Sequence, residues 1–169
     1  PTTYYIDLLN ITAPNSATIN YPGSASPGCN DNSACNYDPY ATENDGSCIY
    51  PEGSISIYDI QYTNIQGEYC YESIHDQECW ETAGIVTAIS PSYPNFYIQD
   101  DNSDSYAGIY VHAFPSTLPS LGQEITITAT VNEYYSLTQL IEGASFSVSS
   151  NGNNIEPTTI STADLANGC

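Results

Sequence analysis

The chain has 169 residues, 20 Asp plus Glu and not one Lys or Arg, so its formal charge is −20 and only the side chains of His75 and His112 can become cationic. An average chain of this size carries about twenty basic residues, and their absence removes the groups that grip nucleic-acid phosphate, anionic lipid and carboxylate substrates. Apolar residues make up 40%, with 16 Tyr, 3 Phe and 1 Trp, enough for one folded domain with a small module attached; charged residues are only 12%, unlike the densely charged surface of a halophilic cytosolic enzyme.

Along the chain, residues 1–22 come first, with one apolar stretch at 4–11 whose β-branched and aromatic content predicts a strand. Its apolar side chains are Tyr4, Tyr5, Ile6, Leu8, Leu9 and Ile11, and it has no hairpin partner beside it. Asn10-Ile11-Thr12 is a glycosylation sequon, which supports exposure of Asn10 if the producer glycosylates such sites; the alternative is a chance triplet. The chain begins at Pro1 and contains no Met, so a processed or excised polypeptide is expected.

Residues 23–52 lack any periodic apolar pattern and read as a turn-rich, acidic, cysteine-bearing loop module. Asp31, Asn36, Asp38, Glu43, Asn44 and Asp45 offer hard oxygen ligands between cysteines, with Pro39 and Gly46 to turn the backbone. Calcium accepts about six to eight oxygens in flexible geometry and is the expected cofactor. Zinc fits less well, because the loop has no His and its thiols are expected to be oxidised.

From Gly53 to Cys169 the chain predicts a β-domain. Short strands are expected at 55–62, 82–90, 96–99, 107–114, 124–133, 145–149 and 158–160, separated by turn signals. In the clearest, Ile125, Ile127, Ala129 and Val131 alternate with Thr126, Thr128, Thr130 and Asn132, giving one buried and one wet face. The short helix candidates are 135–141 and 162–166. The fold class is all-β, of the small-barrel kind.

Six cysteines, Cys29, Cys35, Cys48, Cys70, Cys79 and Cys169, predict disulfides and an oxidising compartment. Cys70 and Cys79, nearby in sequence, are expected to pair locally; the other four leave several pairings open. No apolar run is long enough to span a membrane. Asp100, Asp101 and Asp104 form a second, weaker calcium candidate beside an exposed-turn reading. His75 and His112 have no nucleophile placed beside them and read as surface or sheet residues, and no carboxylate pair stands out, so no enzyme activity is expected.

Two resemblances add to this reading. Gly28-Cys29, Ala34-Cys35-Asn36-Tyr37 and Asp45-Gly46-Ser47-Cys48 resemble a repeat of about twenty residues found in secreted, often tandemly built surface proteins of Bacteroidota and similar bacteria. That resemblance implies a calcium-stiffened connector. Gly84-Ile85-Val86-Thr87-Ala88, Phe96 to Asp100, Gly108 to Val111, Glu124 to Thr128 and Val131 to Leu140 resemble the OB-fold-like domain of bacterial extracellular nuclease-associated and surface proteins. It implies a five-stranded barrel with a ligand-facing strand surface and no catalysis of its own.

OB-folds bind single strands through a cationic groove and stacking aromatics. Tyr93, Phe96, Tyr97, Tyr106, Tyr110, Tyr134 and Tyr135 would supply the stacking, but the cations are missing, so nucleic acid is not an expected partner. In the resembling domains a further apolar strand follows the segment like 159–167, so the barrel here is expected to be one strand short and to present an open slot. The strand at 4–11 would fill that slot in its own barrel or in the next subunit. The favoured expectation is the second: a secreted, non-enzymatic subunit of an extracellular fibre or adhesive assembly whose partners are copies of itself. The rival is a nuclease-associated or glycan-binding module of a larger secreted protein.

Overall fold

A computed structural model describes residues 25–68, 70–101, 105–112, 118–141, 146–157, 159, 161 and 162. The expected strand at 4–11, the Asn10 sequon, Asp104 and Cys169 lie outside the described residues, as do most of the elements expected at 158–160 and 162–166.

The architecture is all-β with almost no helix. Two very short strands, β1 (Pro27–Gly28) and β2 (Glu43–Asn44), pair in parallel within the cysteine module. They are followed by one short helix, α1 (Ile57–Gln61), then β3 (Cys79–Ile89), β4 (Phe96–Gln99), β5 (Gly108–Val111), β6 (Glu124–Tyr134), β7 (Leu137–Ile141) and β8 (Phe146–Ser150).

Strands β3, β4, β5, β7 and β6 follow one another round a ring, and β6 pairs back onto β3, closing a five-stranded barrel. All ring neighbours are antiparallel except β5 and β7, which run parallel. Closure needs two long strands. One half of β3 pairs with β6 from Cys79↔Thr130 to Ile85↔Glu124, and the other half pairs with β4. The register shift between Val86 and Ala88 marks a bulge where β3 passes from one neighbour to the other. The expected open barrel is therefore corrected: the ring closes without any further strand. β8 lies outside it, following β7 along the same edge of β6.

The period-2 pattern fills the interior. Ile125, Ile127, Ala129 and Val131 of β6 face Val86, Phe96, Ile98, Ile109, Val111 and Leu140 in one cluster of buried side chains. The expected strand at 55–62 is instead α1. Ser56 caps it, its Oγ accepting the Asp59 N–H at 3.0 Å and donating to Asp59 Oδ2 at 2.6 Å. Ile57 and Ile60, three residues apart, then fall on one helix face and are fully buried in the barrel core. Gly84 permits this approach: a Cβ there would stand 3.0 Å from Ile57 Cδ1 and 3.1 Å from the Gln99 carbonyl oxygen.

The helix expected at 135–141 is also corrected. Tyr135 (φ 51°) and Ser136 (φ 58°) both adopt left-handed backbone and make a two-residue hairpin turn, so residues 137–141 become β7. The local run Tyr-Tyr-Ser-Leu-Thr-Gln-Leu holds no Gly or Asn to announce that turn.

Candidate functional site

The barrel's register assembles one outward face from four strands. Tyr97 of β4 pairs with Tyr110 of β5, Tyr110 with Gln139 of β7, and Gln139 with Asn132 of β6. Pairing brings these side chains to the same side of the sheet, opposite the buried row Phe96, Val111, Leu140 and Val131. His112 lies two residues beyond Tyr110, and the Tyr134↔Leu137 pair lies two beyond Gln139. Together Tyr97, Tyr110, His112, Tyr134, Leu137 and Gln139 line a concavity of about 500 Å³.

The Tyr97 and Tyr110 rings are 5.0 Å apart, and Tyr110 and His112 are 5.9 Å apart. Gln139 is buried beneath them, with its Nε2 donating to Asn132 Oδ1 at 2.8 Å. Burial, and then the neighbouring Tyr97 hydroxyl, push the Tyr110 hydroxyl above its ordinary pKa, so it is neutral at pH 7. Tyr97, Tyr134 and Leu137 are about half exposed, presenting ring and methyl surface to solvent.

Of the aromatics expected to stack, Tyr97, Tyr110 and Tyr134 are brought together here. Phe96 points inward and is fully buried, as strand alternation requires. Tyr106 packs instead against Tyr58 and Tyr62 near α1, and Tyr93 stands exposed on a separate loop. Leu137, Gln139 and His112 were missed. The first two belong to a strand read as a helix, and the third carries no motif.

The cysteine module is held by Cys29–Cys48 and joined to the barrel by Cys35–Cys79. The expected Cys70–Cys79 pair is thus corrected: Cys79, the first residue of β3, faces the module, and Cys70 is disulfide-bonded elsewhere. Three backbone hydrogen bonds extend the joint: Glu52 N–H to Cys79 O, Ile55 N–H to Glu81 O, and Glu81 N–H to Gly53 O. Two disulfides of this kind belong to a non-cytoplasmic, oxidising environment. No described helix is long and apolar enough to cross a membrane.

The module's expected ligands act largely as turn caps. Asp31 accepts the Ser33 N–H and hydroxyl on Oδ1 and the Tyr50 hydroxyl on Oδ2. Asp38, Asn44 and Asp45 each accept the N–H two residues on, from Tyr40, Gly46 and Ser47. Asn36 spans the module, accepting from Ile49 N–H and donating to Ser47 O. The Ser33 N–H, with help from the Ser33 and Tyr50 hydroxyls, holds Asp31 below its ordinary pKa; hydrogen bonds from Ser47 do the same for Asp45. Glu43 is exposed. Among the described residues no group of three or more His, Cys, Asp or Glu side chains is placed to hold a metal ion.

Asp100 and Asp101, at the end of β4, line a second concavity with Glu81 and Glu124. His75 Nδ1 lies 2.6 Å from Glu78 Oε2, which also accepts the Trp80 Nε1–H at 2.9 Å. The His75 contact and then the Trp80 hydrogen bond hold the Glu78 carboxyl below its ordinary pKa. The Ser73 hydroxyl meets His75 at its backbone N–H, accepting it at 3.1 Å. Compared with known proteins, the chain matches no family model and no curated protein, so the reading of its surfaces rests on its own residues.

Proposed function

We propose that this chain is a secreted, non-enzymatic structural subunit of an extracellular bacterial fibre or adhesive surface assembly, joined head to tail by strand addition. The observation that carries the reading is β8. Among the described residues it pairs with β6 along one edge, no strand is seen on its other edge, and Ser147, Val148 and Ser149 are exposed. An exposed edge of this kind is a template for a strand from another chain.

The donor in this reading is the stretch containing Tyr4, Tyr5, Ile6, Leu8, Leu9 and Ile11, whose single acid is Asp7. Neither that stretch nor β8 adds much charge to the contact, which matters when every copy carries a formal −20. Because the ring is complete without it, the donor joins as an added edge strand rather than as a missing stave. The disulfide joint between module and barrel supplies a short, stiff link between donor and acceptor. Calcium and Asn10 glycosylation belong to the proposal through the sequence alone. A higher unfolding midpoint on adding calcium to chelator-treated protein is expected, and an unchanged one removes calcium from it.

The test is the assembly state of the full chain by sedimentation and negative-stain microscopy, against a chain lacking residues 1–22. Polymers are expected from the first and none from the second. A stable monomer in both cases rejects the proposal.

A further inference from the structure

We infer that the face formed by Tyr97, Tyr110, His112, Tyr134, Leu137 and Gln139 is a docking surface for the same face of a second copy, pairing chains side by side. The argument is electrostatic. Two copies of a chain with 20 acids and no Lys or Arg repel over most of their surfaces, and no Lys or Arg is available to pair across an interface. Contact is favourable only where carboxylates are absent and apolar surface is exposed.

This concavity meets both conditions, since none of the residues lining it is acidic. Three other concavities among the described residues hold carboxylates: Glu81, Asp100, Asp101 and Glu124 in one, Glu81 in another, and Glu68, Glu72 and Glu133 in the third. Tyr97, Tyr134 and Leu137, 49%, 59% and 50% exposed, supply the apolar area, and tyrosine rings bury such area with little loss of rotamer freedom. A face that meets its own copy makes a two-fold, closed contact. It joins two chains, or two filaments, laterally and adds nothing to head-to-tail growth. The inference therefore goes beyond the strand-addition reading and does not rest on it.

The experiment uses equal amounts of nitrogen-14 and nitrogen-15 full-length chain, photo-oxidised with a ruthenium complex and persulfate, so that tyrosines in contact between copies couple. Mixed-isotope dityrosine joining residues 97, 110 or 134 is expected. Its yield should rise with salt, because screening relieves the repulsion between copies. Leu137→Glu, and separately Tyr97→Glu, should lower that yield at least about tenfold at low salt, with partial recovery at high salt, since like charges brought face to face strongly oppose association. Because both positions are half exposed, an unchanged melting curve will verify that each variant folds. Mixed-isotope coupling that misses residues 97, 110 and 134, or is unaffected by both variants, overturns the inference. So does face-specific binding of a neutral polysaccharide by a chain that shows no such coupling. Coupling from Tyr4 or Tyr5 reports strand addition separately, so either reading can fail while the other stands.

Discussion

Replacing both Cys35 and Cys79 by Ala tests the joint between module and barrel. Cys35 is fully buried in the module, Cys79 is 3% exposed at the start of β3, and they are 44 residues apart. Cross-linking a loop of that length removes denatured-state entropy worth about 4 kcal/mol at 25 °C, against about 3 kcal/mol for the 19-residue Cys29–Cys48 loop. A domain of ordinary stability holds only about 5–15 kcal/mol in total, so the double variant loses a quarter or more of its stability. The assay is guanidinium unfolding of the full chain followed by fluorescence of Trp80, the residue next to the joint and the single Trp of the chain. The Cys35/Cys79 variant should lose about 4 kcal/mol and the Cys29→Ala/Cys48→Ala variant somewhat less. A loss under about 1 kcal/mol for the first, or a larger loss for the second, would refute the view that Cys35–Cys79 is the main tie between module and barrel.

Gly84→Ala should destabilise the barrel by about 1–3 kcal/mol in thermal unfolding, because the new methyl meets Ile57 Cδ1 and the Gln99 carbonyl. Tyr135→Asn should raise stability by about 1 kcal/mol, since Asn tolerates the left-handed backbone of this hairpin turn better than Tyr; no gain would mean that the Tyr135 ring contributes contacts of similar worth. Glu78 is held below the ordinary carboxyl value of 4.5, so its contribution to stability is complete above about that pH and is lost as pH falls through its lower folded value. Trp80 emission should change over that acid range in the parent chain and stay flat in Glu78→Gln; identical titrations would remove Glu78 as the cause.

Where local pattern and tertiary demand agree, the fold was legible. The alternation of Ile125, Ile127, Ala129 and Val131 with Thr and Asn marked β6 and its buried face, because the side-chain period of a strand is a purely local property. Phe96–Gln99 was legible for the same reason. Residues 57–61 were misread as strand because β-branched Ile carries strand propensity; the Ser56 cap and the burial of Ile57 and Ile60 outweighed it. Residues 137–141 were misread because the turn before them uses Tyr and Ser where Asn and Gly are the usual signal. The tyrosine face shows the same division. Its tyrosines were recognised as a set, but which of them converge follows from register, which relates residues far apart in the chain.

Composition alone set the electrostatic terms: with no Lys or Arg, no fold of this chain can build a salt bridge from them or a cationic groove, and the six cysteines called for an oxidising environment. Those statements hold for any conformation, since they count groups rather than place them. The tertiary structure decided what depends on long-range pairing. β6 closes onto β3, Cys79 meets Cys35 rather than its near neighbour, and the acids of the module are drawn into turn capping. One face whose lining holds no acid is assembled from β4, β5, β6 and β7. Disulfide choice and surface composition both depend on which strands lie side by side, and sequence separation does not encode that.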